Sequence, residues 1–233
     1  MREPNRPRQL PLALSHVAGN TRDDLVVSPA NAEAVALVDR WPDWPAPLLL
    51  LAGPSGSGKS HLGNVWREQS AAICGDPGHI GEETIEAART NPVFLDDADA
   101  RHIDEEGLFH LINAARGGGQ QLLLTARRFP AAWGVRLPDL ASRLKAAATV
   151  EIREPDDLLL AGVITKLFAD RQVEVDRQVV QFLVRRIERS LATAIRVVER
   201  LDRAALEQKS RITRPLAAGI LDALDLGQGE FDL

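Results

Sequence analysis

The sequence predicts an α/β fold, a parallel sheet flanked by helices and followed by a small all-α lid domain, on three observations. Short apolar runs recur between residues 48 and 153, helical patterns fall between them, and after Pro155 strand-like runs give way to amphipathic helices. Strands alternating with helices build parallel sheets, because each parallel pair needs a crossover and the crossover helices cover both faces. The chain is accordingly divided into a tail at 1–20, an α/β domain at 21–154 and a helical lid domain at 155–233.

Taken in order, the apolar residues Ala32, Val35, Ala36 and Leu37 recur at helical spacing between Ser28 and Arg40, with Ser28 as cap and Pro29 as first helical residue. The prolines of "WPDWP" end that helix. "LLLLAG" (Leu48 to Gly53), "VFLDD" (Val93 to Asp97), "QLLLTA" (Gln121 to Ala126) and "ATVEIR" (Ala148 to Arg153) predict strands buried on both faces. "HLGNVWREQSAA" and "EEGLFHLINAARGG" predict helices between them. Three or four helices follow Pro155, one with Ile195, Val198, Leu201 and Ala205 in a single stripe. From Gly227 onward the chain reads as a frayed end.

Composition narrows the function. A chain of 233 residues, 45% hydrophobic, can bury a substantial core, and its net charge of −5 lacks the positive excess that drives non-specific nucleic-acid binding. Direct, sequence-specific DNA binding is therefore not expected. The single cysteine, Cys74, has no partner for a disulfide or a metal site, which fits a reducing cytoplasm. Arg2, Arg6 and Arg8 precede "LPLAL", but that patch is shorter than the roughly 7 to 15 apolar residues of a secretory signal and holds a proline. No run approaches membrane-spanning length, so a cytoplasmic protein is expected.

Chemistry concentrates first in "GPSGSGKS": Gly53, Pro54, Ser55, Gly56, Ser57, Gly58, Lys59 and Ser60, with His61 next. Its glycines let successive backbone N–H groups curl round a phosphate, and the following helix N-terminus adds partial positive charge. Lys59 then reaches the β- and γ-phosphates and the Ser60 hydroxyl ligates Mg²⁺. A flexible Gly/Ser loop is the plainer reading, yet the buried strand before and the helix after supply the context a phosphate loop requires. In "VFLDD", Asp96 is expected with Ser60 at the magnesium and Asp97 as the group that orients or polarises the attacking water; alone, the pair would be an acidic strand end. Thr125 ends the next run, placed to sense the γ-phosphate or merely to favour a strand. Arg143, in "LPDLASRLKAAATVEI", is either a surface charge or a guanidinium acting in trans on a neighbour's nucleotide. Arg196 is either solvated or closes over the phosphates.

In this order, phosphate loop, paired acids, polar sensor, "SRL" arginine and helical lid, the parts resemble those of the AAA+ ATPases. Within that group "LFHLINAARGGGQQLLLTARRFPAAW", "LPDLASRL" and "NTRDDLVVSPANAEAVALV" are similar to segments of the DnaA replication-initiator clade. The chain ends after the lid and has only about twenty residues in front, so it looks like the short Hda branch of that clade rather than an initiator with a helix-turn-helix domain. "QLPLAL", that is Gln9, Leu10, Pro11, Leu12, Ala13 and Leu14, is similar to the motif by which replication proteins dock on the β sliding clamp. Gln9 offers a hydrogen bond at a pocket mouth, the three leucines offer apolar anchors, and the proline limits the entropy lost on docking.

The resemblance implies a clamp-tethered partner that stimulates hydrolysis of ATP bound to DnaA and so restrains replication initiation, with Arg143 entering the composite site. It implies ADP or ATP in this chain's own loop, Leu25, Val26 and Val27 at the adenine, and possible homodimerisation, since such domains build sites between neighbours. Two departures matter: Asp97 stands where many AAA+ ATPases carry a glutamate, and Arg127 stands where DnaA-like segments often carry an aspartate. Weak or absent intrinsic ATPase is expected. The competing expectation is a helicase-loading ATPase of the DnaC type, whose tail binds a helicase instead of the clamp.

Overall fold

The computed structural model describes residues 21–99 and 103–228, the side chains of 225–228 excepted. After a 3-10 turn at Arg22–Asp24 come α1 (Ala32–Val38), β1 (Leu48–Ala52), α2 (Lys59–Ser70), β2 (Ile73–Gly75), α3 (Glu82–Ala87) and β3 (Val93–Leu95). Then follow α4 (Glu105–Gly117), β4 (Leu122–Ala126), α5 (Pro138–Lys145) and β5 (Ala148–Glu151), and finally α6 (Asp157–Asp170), α7 (Arg177–Arg186), α8 (Leu191–Gln208) and α9 (Arg214–Gln228).

The five strands form one parallel sheet in the order β2-β3-β4-β1-β5. Its centre explains the unbroken apolar runs: β1, β3 and β4 are buried at every residue, because helices cover both faces. Side chains alternate across the sheet. Leu48, Leu50 and Ala52 pack with Leu108, Leu111, Leu140 and Leu144 of α4 and α5, while Leu49 and Leu51 pack with Val35, Val38, Leu62 and Trp66 of α1 and α2. Trp66 also stacks on Trp44, with ring centroids 5.2 Å apart. Each fully buried leucine contributes about 1.5–3 kcal/mol of transfer free energy, so the sheet centre is the stiff part of the molecule. The functional loops leave from it.

The four C-terminal helices enclose a second core, in which Leu160, Ile164 and Phe168 of α6 meet Leu183 of α7, Val198 and Leu201 of α8, and Ala217 and Leu221 of α9. Their starts are fixed by side-chain caps: Asp156 accepts from Leu159 N, Asp176 from Gln178 N, and Ser190 from Thr193 N. The predicted stripe on α8 is met at Val198 and Leu201, which are buried, with Ile195 and Ala205 partly covered.

Four local expectations differ from the structure. β5, at the edge of the sheet, is buried only at Val150 rather than on both faces. The first helix does not begin at Pro29: Ser28 to Asn31 form a turn, in which Asn31 Oδ1 accepts from Ser28 N at 2.8 Å and Asn31 Nδ2 donates to the Val26 carbonyl at 2.9 Å. That buried asparagine draws the chain back on itself, and the helix starts one residue later, at Ala32. β2 was not anticipated, since three residues, Ile73–Gly75, carry too little pattern to register. The helix after the glycine-rich loop begins at Lys59 rather than His61.

Candidate nucleotide-binding site

The loop joining β1 to α2 takes its shape from its neighbours. A Cβ at Gly53 would lie 2.1 Å from the Ile152 carbonyl oxygen, so only glycine lets the chain leave β1 against the end of β5. Gly56 has φ +73°, and a Cβ there would meet Ser190 Oγ at 2.2 Å. Lys59 is only 7% exposed, its Nζ donating to the Pro54 carbonyl at 2.7 Å and to Ser57 Oγ at 3.5 Å. Burial lowers its pKa, opposed by the charges of Asp97 and Asp96. A phosphate beside Nζ would offset that burial, as any nearby anion does.

A cleft of about 350 Å³ opens beside this loop, within the size range of small-molecule sites. Gly56, Ser57, Gly58, Lys59, Ser60 and His61 form its polar end. Leu25 and Val26, Leu159 and Val163 of α6, and Leu191 and Ile195 of α8 form apolar walls. Burial pushes the His61 imidazole, which lines the cleft, below its ordinary value, opposed by the charge of Asp24. The helical unit is fastened over the cleft at two points. Leu191 N–H donates to the Gly56 carbonyl at 2.8 Å, and Lys166 Nζ lies 2.8 Å from both Asp24 Oδ1 and Asp170 Oδ2. The hydrogen bond from Lys166, helped by Thr21, draws the Asp24 carboxyl down to about 2.

The strand tips of β3 and β4 supply the oxygen donors. Ser60 Oγ donates to Asp96 Oδ1 at 2.9 Å, and Thr125 Oγ1 donates to the same oxygen. Thr125 Oγ1 in turn accepts from Asp97 N at 2.8 Å. Asp97 has φ +53°, and its Oδ2 lies 3.3 Å from an Arg127 guanidinium nitrogen. A hydroxyl and a carboxylate are hard donors that suit Mg²⁺, which keeps waters and phosphate oxygens as its other ligands. Among the described residues no group of three or more His, Cys, Asp or Glu could hold a metal by itself.

The structure gathers many of the predicted residues here but not all. Leu25 and Val26 line the cleft, whereas Val27 does not and is 44% exposed. Gly53, Pro54 and Ser55 form the turn behind the lining residues, with Pro54 holding Lys59. Thr125 is buried, with its hydroxyl engaged by Asp96 and Asp97. Arg196 is not brought to the phosphate loop: it donates to Thr193 Oγ1 at 3.1 Å and lines a separate hollow with Glu188 and Leu221, because its position on α8 faces away from Leu191 and Ile195. The lid turn over the loop presents Leu191, Ala192 and Ile195, apolar side chains in place of the expected cation. Arg143 lies on α5, half-buried, outside the cleft, and its guanidinium makes no hydrogen bond or ion pair among the described residues. Gln9, Leu10, Pro11, Leu12, Ala13 and Leu14 lie outside the described residues.

Sequence reasoning missed Asp99, whose side chain is 2% exposed and which accepts from Arg127 N at 2.8 Å and Arg128 N at 3.1 Å. The acid-rich run "DDAD" was its only signal. It also missed Lys166, which pairs with Asp170 one turn along α6 and meets Asp24 only because the two units close on each other.

Residues 163–221 match the family described as Hda, lid domain. An uncharacterized protein of Haemophilus influenzae is 25% identical over 228 residues, covering 92% of this chain and 99% of that protein. Domain III of the replication initiation protein DnaA of Thermotoga maritima superposes with a TM-score of 0.74 at 18% identity, over 88% of this chain and 96% of that one. AMPPCP-bound DnaA of Aquifex aeolicus gives 0.65 at 18% identity, over 80% of this chain and 65% of that one. The Thermotoga maritima RuvB Holliday junction branch migration motor gives 0.70 at 18% identity, over 89% and 72%. The sheet with its helices thus has the fold seen in these DnaA and RuvB structures, the AAA+ fold, and residues 163–221 are similar to an Hda lid domain. No helix among the described residues is long and apolar enough to cross a membrane.

Proposed function

We propose, from an Hda-like lid on a DnaA-related AAA+ fold, that this protein regulates replication initiation by acting on nucleotide held by DnaA. The observation that carries this reading is the division of labour between two cations. Lys59 is buried in the chain's own phosphate loop, while Arg143 stands outside that cleft with no partner among the described residues. An unpaired, half-buried guanidinium at a domain edge is suited to a second protein's triphosphate, where it stabilises the charge that develops on the transferred phosphoryl oxygens.

In this reading the cleft holds ADP or ATP, as the AMPPCP-bound DnaA structure holds its analogue. Leu25 and Val26 flank the adenine, Gly56 to Gly58 and Lys59 take the phosphates, and Ser60 and Asp96 hold Mg²⁺. The ion's chemistry is to neutralise charge on the phosphate oxygens. The tail motif Gln9 to Leu14 tethers the protein to the β sliding clamp, which concentrates it where the clamp encircles DNA. A free Arg143 also suits a second copy of this chain, so self-association belongs to the same proposal.

The test is hydrolysis of DnaA-bound ATP in the presence of clamp loaded on DNA. Wild type should accelerate it; Arg143→Ala should bind clamp and nucleotide normally yet lose roughly 100-fold or more of the acceleration, in line with a transition-state arginine. Leu12→Ala/Leu14→Ala should lose clamp binding and, with it, the dependence on loaded clamp. Undiminished acceleration by Arg143→Ala would remove the arginine from the mechanism, and binding of a replicative helicase in place of the clamp would favour the helicase-loading alternative.

A further inference from the structure

We infer that Arg127 restrains this protein's own ATP hydrolysis by occupying the carboxylate of Asp97, so that a bound triphosphate is held rather than spent. This rests on reading the cleft as a nucleotide site. The two residues meet through an ion pair, Arg127 guanidinium to Asp97 Oδ2 at 3.3 Å. What makes the pair more than a surface contact is how firmly each end is placed.

Asp97 is held by its backbone. Its φ is +53°, an unusual value for a residue with a side chain, and its N–H donates to Thr125 Oγ1 at 2.8 Å, while the next amide, Ala98 N, donates to the Thr125 carbonyl at 2.7 Å. Side-chain rotation is the remaining freedom of its carboxylate. Arg127 is placed from the opposite strand tip by Asp99. That carboxylate, 2% exposed, uses one oxygen on Arg127 N at 2.8 Å and the other on Arg128 N at 3.1 Å and Arg128 Nε at 3.2 Å. Asp99 is thus spent on fixing the turn that presents Arg127, and Asp97 is the carboxylate left for the guanidinium. The pair lies beside the phosphate loop, since Ser60 Oγ, at the polar end of the cleft, donates to the neighbouring Asp96 at 2.9 Å.

The chemistry gives the pair its consequence. In hydrolysis the water oxygen forms a bond to the γ-phosphorus, the bond from that phosphorus to the β,γ-bridging oxygen breaks, ADP leaves with those electrons, and the water's proton goes to solvent or to a carboxylate. A group that orients the water needs a free lone pair and basicity near the γ-phosphate. A guanidinium 3.3 Å from Asp97 Oδ2 occupies one such lone pair. An exposed pair of this kind adds little to fold stability. It can still govern a rate, because tenfold in rate corresponds to only about 1.4 kcal/mol. Arg127 is therefore a positioning residue that acts through Asp97.

The test uses the full chain alone, with Mg²⁺ and ATP, following ADP release. Arg127→Ala and Arg127→Gln should raise kcat about tenfold with KM within about threefold, and Arg127→Ala/Asp97→Asn should fall back to the wild-type rate or below. Binding of a fluorescent ATP analogue is measured on the same samples. If wild type binds no nucleotide, the reading of the cleft fails and this inference with it. If it binds, but both single variants hydrolyse at or below the wild-type rate, or the double variant stays as fast as Arg127→Ala, the inference alone is overturned.

Discussion

The cleft and the strand tips beside it are built on different principles. The lid end is made of apolar side chains from three segments, Leu25 and Val26, Leu159 and Val163, Leu191 and Ile195, held in place by the cores they border. At the strand tips the acidic and basic groups are half exposed, with Arg127 at 61% and Asp97 at 46%, and their positions depend on hydrogen bonds from backbone amides. On the proposed reading, packed walls and the buried Lys59 hold the nucleotide, while the strand-tip groups, which a ligand or a partner can exchange, bear on its hydrolysis. Buried apolar packing resists rearrangement, whereas exposed charge pairs are worth little and change readily.

The sharpest way to break this comparison is Lys59→Ala. A charge-assisted contact to phosphate is worth about 1.5–3 kcal/mol, so nucleotide affinity should fall between about tenfold and roughly 100-fold by fluorescence titration. Retained affinity would mean that the apolar end alone does the binding. Gly56→Ala comes next. It places a side chain at φ +73° and 2.2 Å from Ser190 Oγ, so the lid must shift; about 1–2 kcal/mol of stability and about tenfold in affinity should be lost, read by thermal unfolding and the same titration.

Asp24→Asn is the mildest. The folded Asp24 pKa lies at about 2, below its ordinary 3.8, so its stabilising effect is present above pH 3.8 and is lost as pH falls through the folded value. Wild type should therefore melt slightly above Asp24→Asn near pH 5, and the gap should close on approach to pH 2. A gap that widens on acidification would contradict the clasp with Lys166.

How much of this was legible in the sequence follows from the same contrast. The glycine-rich loop was readable because its glycines, Lys59 and Ser60 fall at fixed spacing between an apolar run and a helical pattern, although the neighbours that exclude a Cβ at Gly53 and Gly56, Ile152 and Ser190, lie far away in the chain. The strands were readable because Leu48 to Ala52 and Leu122 to Ala126 are buried throughout, which leaves an unbroken apolar run. Arg196 was misplaced because helical periodicity fixes the relative directions of residues on α8 but not which direction faces the loop. Asp99 was overlooked since a buried carboxylate that serves two backbone amides looks, in one dimension, like any other acid. Lys166 and Asp24 are 142 positions apart, so nothing local links them.

The bond from Leu191 N to the Gly56 carbonyl joins the first turn of an 18-residue helix to the very loop that would cradle phosphate. On the proposed reading, a nucleotide seated there leaves only when that bond parts. Residence time, more than encounter frequency, would then set how long the molecule remembers a captured nucleotide.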